Sequence, residues 1–215
     1  MTEKSHVPKN GDCCFCTDEK GDLGFVYNEG SGGWTLTKAL RFEDGCTIPS
    51  EIYGYPVMQI GERAFTECEG LKNIAISNDI VKIGDSAFEG CKTLTRVIMD
   101  ASVESIGKRA FAGCTGLENV YMGSYINSVG ADAFKGCENI KKVNISNMEQ
   151  WAKVKFENKE ANPFHAGAAL YSNGKEVDRS LINPAYGHLF GQKSGIDNVL
   201  EEASRVAAGI QNAGI

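Results

Sequence analysis

Eight cysteines stand out in a chain of 215 residues. Seven of them, all but Cys46, fall into two groups with different chemistry open to them. Cys13-Cys14-Phe15-Cys16 crowds three thiols into four residues. A Cys-x-x-Cys pair offers a disulfide, a redox couple or half of a structural zinc site. Structural zinc takes four ligands, and no second such pair exists; His6, His165, His188 and Cys46 are scattered. No strand-helix-strand pattern surrounds the pair, as a thioredoxin-like couple requires. These cysteines therefore read as plain strand or tail residues. Cys13 and Cys16 are what remains of a metal candidate, and no cofactor is expected.

The second group is periodic. Cys68, Cys91, Cys114 and Cys137 recur every 23 residues. Residues one unit apart in a stacked repeat lie side by side with parallel side chains, whereas a disulfide needs convergent Cβ vectors. Buried, reduced thiols packing as small hydrophobes are expected. Other motifs carry no chemistry. Asp18-Glu19-Lys20-Gly21-Asp22 lacks the alternating ligands of a calcium loop. Gly30-Ser31-Gly32-Gly33 has no Gly-Lys-Ser/Thr after it, so it is no phosphate loop. Asn144-Ile145-Ser146 has the form of a glycosylation sequon, but Asn144 falls on a repeat strand. No nucleophile, base and carboxylate converge, so no enzyme is expected.

The elements that position these residues follow the same clock. Ile60-Gly61, Ile83-Gly84, Ile106-Gly107 and Val129-Gly130 are each 23 residues apart. Ala-Phe recurs at Phe65, Phe88, Phe111 and Phe134, three residues before each cysteine. Then come Leu71, Leu94, Leu117 and Ile140, and the alternating pairs Ile74/Ile76, Val97/Met99, Val120/Met122 and Val143/Ile145. Spacing of two marks a short strand with one buried face. The Ala, Phe and Cys spacing predicts about one turn of inward-facing helix. Each coil is thus strand, helical turn, strand, and only stacking buries its inner face. The four phenylalanines should form one internal column. The recurring glycine marks an unusual φ/ψ or a close approach.

The pattern I-G-x-x-A-F-x-x-C-x-x-L-x-x-V-x-I resembles the BspA-like leucine-rich repeats of bacterial and protozoan surface proteins. Cys46 to Val57 is similar to that family's first half-coil. Met148-Glu149-Gln150-Trp151, Asn162-Pro163-Phe164 and Leu170 to Val177 are similar to a non-repeat module such proteins carry. The resemblance implies an α/β solenoid, a short right-handed superhelix with capped ends. It also implies adhesive or protein-binding work at a cell surface.

The chain divides accordingly. Residues 1–45 form an N-terminal tail and β-hairpin cap, with Leu23 to Tyr27 and Trp34 to Thr37 as its strands. Residues 46–147 form the solenoid. Residues 148–179 form a C-terminal capping module, helical from Met148 to Val154, with a hairpin at Asn173-Gly174. Residues 180–215 are a turn-rich linker and an amphipathic helix. Ile196, Val199, Leu200, Ala203, Val206 and Ile210 make its apolar face. Such a helix docks on the solenoid, on a partner or on a second copy. Through it the chain would attach as a structural subunit of a larger assembly, a cell-surface layer or a viral particle. That is the alternative to partner recognition.

Recognition would sit on the outward residues of the repeat strands. Asn73 and Ala75, Arg96 and Ile98, Asn119 and Tyr121, Lys142 and Asn144 form a ribbon across the sheet. Exposed aromatic and apolar groups anchor interfaces. Net charge is −6 with no basic stripe, which argues against nucleic acid. No apolar run reaches the 18 or so residues of a membrane span. Met1 to Pro8 is polar and lacks the apolar stretch of a secretory signal. A surface protein is implied by resemblance, while a cytoplasmic or viral-particle location stays open.

Overall fold

Alternating apolar residues make short strands here, and stacking turns those strands into two long sheets. The computed structural model describes residues 7–177, except 19–20, 41–43, 77–78, 101, 147, 166 and 173. The strands are β1 (Cys13–Asp18), β2 (Gly21–Asn28), β3 (Gly33–Leu40), β4 (Asp44–Thr47), β5 (Glu51–Ile52) and β6 (Tyr55–Ile60). The regular repeats contribute β7 (Leu71–Ile76), β8 (Lys82–Ile83), β9 (Arg96–Met99), β10 (Ser105–Ile106), β11 (Asn119–Met122), β12 (Ser128–Val129) and β13 (Lys142–Ile145). They are followed by β14 (Lys155–Phe156), β15 (Ala169–Ser172) and β16 (Lys175–Glu176).

One sheet runs β4-β7-β9-β11-β13-β15, closed by β16; the other runs β1-β2-β3-β6-β8-β10-β12-β14, with β5 on β6. Strands one coil apart pair in parallel and in register, as Val97 with Val120 and Val120 with Val143. The result is a β-solenoid that runs past the four regular repeats at both ends. Phe156 takes the place beside Val129 that an Ile-Gly strand would take, and Leu170 takes the place beside Val143.

The core lies between the sheets. Phe65, Phe88, Phe111 and Phe134 stack in the expected column, with ring centroids 4.7, 5.0 and 5.2 Å apart. Offset stacking of this kind adds about 0.5–1.5 kcal/mol per pair beyond burial. At the C-terminal end Trp151 is buried edge-on to Phe156 and Phe164. At the N-terminal end β1, β2 and β3 form an antiparallel meander that joins the solenoid through β3 and β6. Trp34 is buried there, its Nε1 donating to the Ile52 carbonyl at 3.0 Å.

The helical turn expected in each coil is not formed, and the α/β description is corrected to a β-solenoid. Between each glycine and cysteine the backbone folds into overlapping turns. Half of its amides bond within the coil, as Ala110 to Gly107 and Cys114 to Phe111. The alternate amides reach the next coil, as Arg109 to Ala131, Phe111 to Ala133 and Gly113 to Lys135. An α-helix turns every amide inward along its own axis and would leave the neighbouring coil's carbonyls unpaired. Stacking therefore selects turns. Among the described residues the helices are α1 (Met148–Trp151) and a three-residue 3₁₀ turn at Lys159–Ala161. The predicted hairpins are present in β2/β3 and β15/β16. The C-terminal helix expected around Ile196 to Ile210 lies outside the described residues.

Candidate functional site

Period two decides which residues of the β4-to-β15 sheet face outward. Val97 and Met99 point into the core and are buried, so Arg96 and Ile98 point out. The strand register then lines these residues up in two rows. The first row is Asn73, Arg96, Asn119, Lys142 and Ala169. The second is Ala75, Ile98, Tyr121, Asn144 and Tyr171. All eight residues read from the sequence as an outward ribbon are brought onto one face. Tyr121 is 37% exposed.

Tyr171 was not foreseen as a member. Its signal was available, since Ala169-Leu170-Tyr171 repeats the out-in-out order of Lys142-Val143-Asn144. The missing Ile-Gly frame hid it. Lys142 Nζ lies 5.2 Å from the centre of the Tyr171 ring, a cation-π contact. The Tyr171 hydroxyl donates to Glu176 Oε2 at 3.0 Å, and that bond to a carboxylate raises its pKa.

The same periodicity is the decisive family mark. The BspA type leucine rich repeat region matches residues 41–162 in six copies. The chain belongs to this BspA type leucine rich repeat family. A search of curated proteins finds no match. Among solved structures, a leucine-rich repeat protein from Bacteroides ovatus ATCC 8483 is similar at 24% identity and a TM-score of 0.58, over 78% of this chain and 41% of that one. One from Bacteroides capillosus ATCC 29799 is similar at 21% identity and a TM-score of 0.50, over 74% of this chain and 99% of that one. A leucine rich cell surface protein from Faecalibacterium prausnitzii A2-165 is similar at 22% identity and a TM-score of 0.47, over 80% of this chain and 56% of that one. Likeness at this identity shows the fold alone. This chain spans 41% of the length of the Bacteroides ovatus protein.

The other candidate chemistry of this BspA type chain resolves structurally. In β1, Cys13 and Phe15 are exposed while Cys14 and Cys16 pack against the core. Cys13 and Cys16 thus fall on opposite faces, and the strand does not bring them together to share an ion. Phe15 lies opposite Gly24, its ring 3.0 Å from where a Cβ on Gly24 would stand. The repeat cysteines Cys68, Cys91, Cys114 and Cys137 are buried free thiols, as expected. Burial pushes the Cys68 thiol up to about 12. The neighbouring Cys137 and Cys91 thiols, then burial, hold Cys114 well above the ordinary thiol range. Neither is a nucleophile at neutral pH.

Proposed function

We propose that this chain is a non-enzymatic protein-binding module acting at a cell surface, and that the two-row ribbon is its contact surface. One observation carries the reading. The ribbon collects exposed Tyr121, half-buried Ile98 and Tyr171, and the cations Arg96 and Lys142 on one face of one sheet. Aromatic residues and arginine are the anchors enriched at interface centres. Membership of a family whose repeats are described in surface proteins supports the setting. The fold by itself dictates no function.

The test is adhesion of the full chain to a panel of immobilised extracellular proteins. Wild type is compared with Arg96→Ala/Tyr121→Ala and with Lys82→Ala/Lys155→Ala on the opposite sheet. Loss in the first variant and retention in the second is expected. Equal retention by both variants overturns the ribbon as the contact surface.

A further inference from the structure

The coil repeats every strand, but the ribbon repeats every second strand. Along the first row amides and cations alternate: Asn73, Arg96, Asn119, Lys142. Along the second row the aromatic rings stand on alternate strands, at Tyr121 and Tyr171, with Asn144 between them. Strands lie 4.7–4.9 Å apart, so both Arg96 to Lys142 and Tyr121 to Tyr171 span about 9.5 Å along the solenoid axis.

The charges are arranged for an anion. The chain as a whole carries −6, yet neither row contains a carboxylate. The carboxylates at the margins are mostly engaged: Asp44 with Lys72, Glu118 with Lys141 at 2.7 Å, and Glu176 with the Tyr171 hydroxyl. Asp100 stands beyond the strand end, after Met99. Among the described residues Arg96 and Lys142 form no ion pair. Asn144 Nδ2 lies buried between the strands that carry Tyr121 and Tyr171, with no acceptor among the described residues.

A peptide in the polyproline II conformation advances about 9 Å in each three-residue turn. That matches two strands, whereas residues on one face of a β-strand repeat every 6–7 Å and fall out of step. We infer that the ribbon takes an extended acidic segment of a partner protein, laid along the solenoid axis with a carboxylate every third residue. The carboxylates meet Arg96 and Lys142, and the intervening apolar side chains lie on Ile98, Tyr121 and Tyr171. This rests on the ribbon being the contact surface and adds the chemistry of what it contacts.

The experiment is fluorescence anisotropy with the full chain and a labelled (Glu-Pro-Pro)5 peptide. Comparison peptides are (Gln-Pro-Pro)5 and (Glu-Pro-Pro-Pro)4, the second placing its carboxylates out of step. Expected are binding of the first peptide, at least tenfold weaker binding of the other two, and a loss on raising salt. Arg96→Ala/Lys142→Ala should weaken the first peptide at least tenfold, with an unchanged thermal midpoint showing an intact fold. No binding of (Glu-Pro-Pro)5 at millimolar concentration overturns the inference, as does equal binding of the glutamine peptide. If polygalacturonate displaces nothing but itself binds in an Arg96-dependent manner, the partner is a polyuronate and the inference falls. When the peptide fails yet the protein panel still depends on Arg96 and Tyr121, the ribbon stands and the acidic partner does not. Peptide binding that ignores ribbon variants overturns both.

Discussion

The Cys114 thiol donates to the carbonyl oxygen of Phe88 at 3.0 Å, across the gap between two coils. That oxygen also accepts the Cys91 amide at 3.2 Å, so both of its lone pairs are used. Cys91 with Phe65 and Cys137 with Phe111 repeat the arrangement at 2.9 and 3.0 Å. Cysteine is thus a small apolar filler that brings one donor. Cys114→Ala keeps most of the fill and loses the donor. Its expected cost is about 1–2 kcal/mol, read from the urea midpoint at unchanged slope. A midpoint within error of wild type would show that the thiol contact carries no stability.

Another repeat cysteine, Cys68, sets an alkaline limit. Burial raises Cys68 from 9.0 to about 12. The unfolded chain therefore releases this proton first. The contribution is complete below pH 9 and is lost as pH rises from there towards 12. Thermal midpoints should fall above pH 9, and fall less in Cys68→Ala. Equal alkaline slopes in the two proteins would remove Cys68 as the cause. In the native protein Ellman's reagent should reach exposed Cys13 rapidly and Cys68, Cys91, Cys114 and Cys137 only on unfolding.

Sequence reasoning reached the repeat, the phenylalanine column, both end hairpins and the outward placement of the eight ribbon residues, because each depends on spacing alone. It missed the turns. Ala, Phe and Cys at offsets of three and four fit one helical turn as well as a chain of β-turns. What separates the two is where the amides of Arg109, Phe111 and Gly113 go, and their acceptors lie on the next coil. Tyr171 was hidden for a related reason: β15 joins the sheet by register after the sequence motif has lapsed.

Turn geometry makes one position testable. Gly90, Gly113 and Gly136 occupy the left-handed region, with φ of 75°, 73° and 76°. The first regular coil places Glu67 there instead, at φ 54°. A side chain in that region costs about 1–2 kcal/mol, partly offset by the extra freedom glycine has when unfolded. Glu67→Gly should raise stability by about 0.5–1 kcal/mol. Its amide bond to Glu89, at 2.7 Å, is kept. Calorimetry checks the outcome, and a lowered midpoint would mean that the Glu67 side chain itself stabilises the coil.

The Ile-Gly glycines act by a different mechanism. A Cβ on Gly107 would stand 2.6 Å from the Asp85 nitrogen and from the Gly84 carbonyl carbon. Gly84 and Gly130 meet the preceding glycine in the same manner, at 2.7 and 2.8 Å. No φ in the left-handed region is involved, so the requirement is close approach of coil to coil. The obstacle is backbone, which has no rotamer to escape into. Gly107→Ala should cost at least about 1–3 kcal/mol and lower the urea midpoint more than Cys114→Ala does. A variant as stable as wild type would show that the coils separate freely.

Asn144 tests stability against function at one atom. Its Nδ2 is buried beside Tyr121 and Tyr171 and finds no acceptor among the described residues. An unsatisfied buried donor costs about 1–3 kcal/mol, and an apolar side chain of the same size removes that cost. Asn144→Leu should therefore raise the urea midpoint, by about 1 kcal/mol of stability. If the amide serves the ribbon, the same variant should bind (Glu-Pro-Pro)5 several-fold more weakly. A site kept for binding at the expense of stability behaves in this manner. A stabilised variant with undiminished binding would leave Asn144 outside the contact surface. A destabilised one would show that the amide is satisfied in the folded chain.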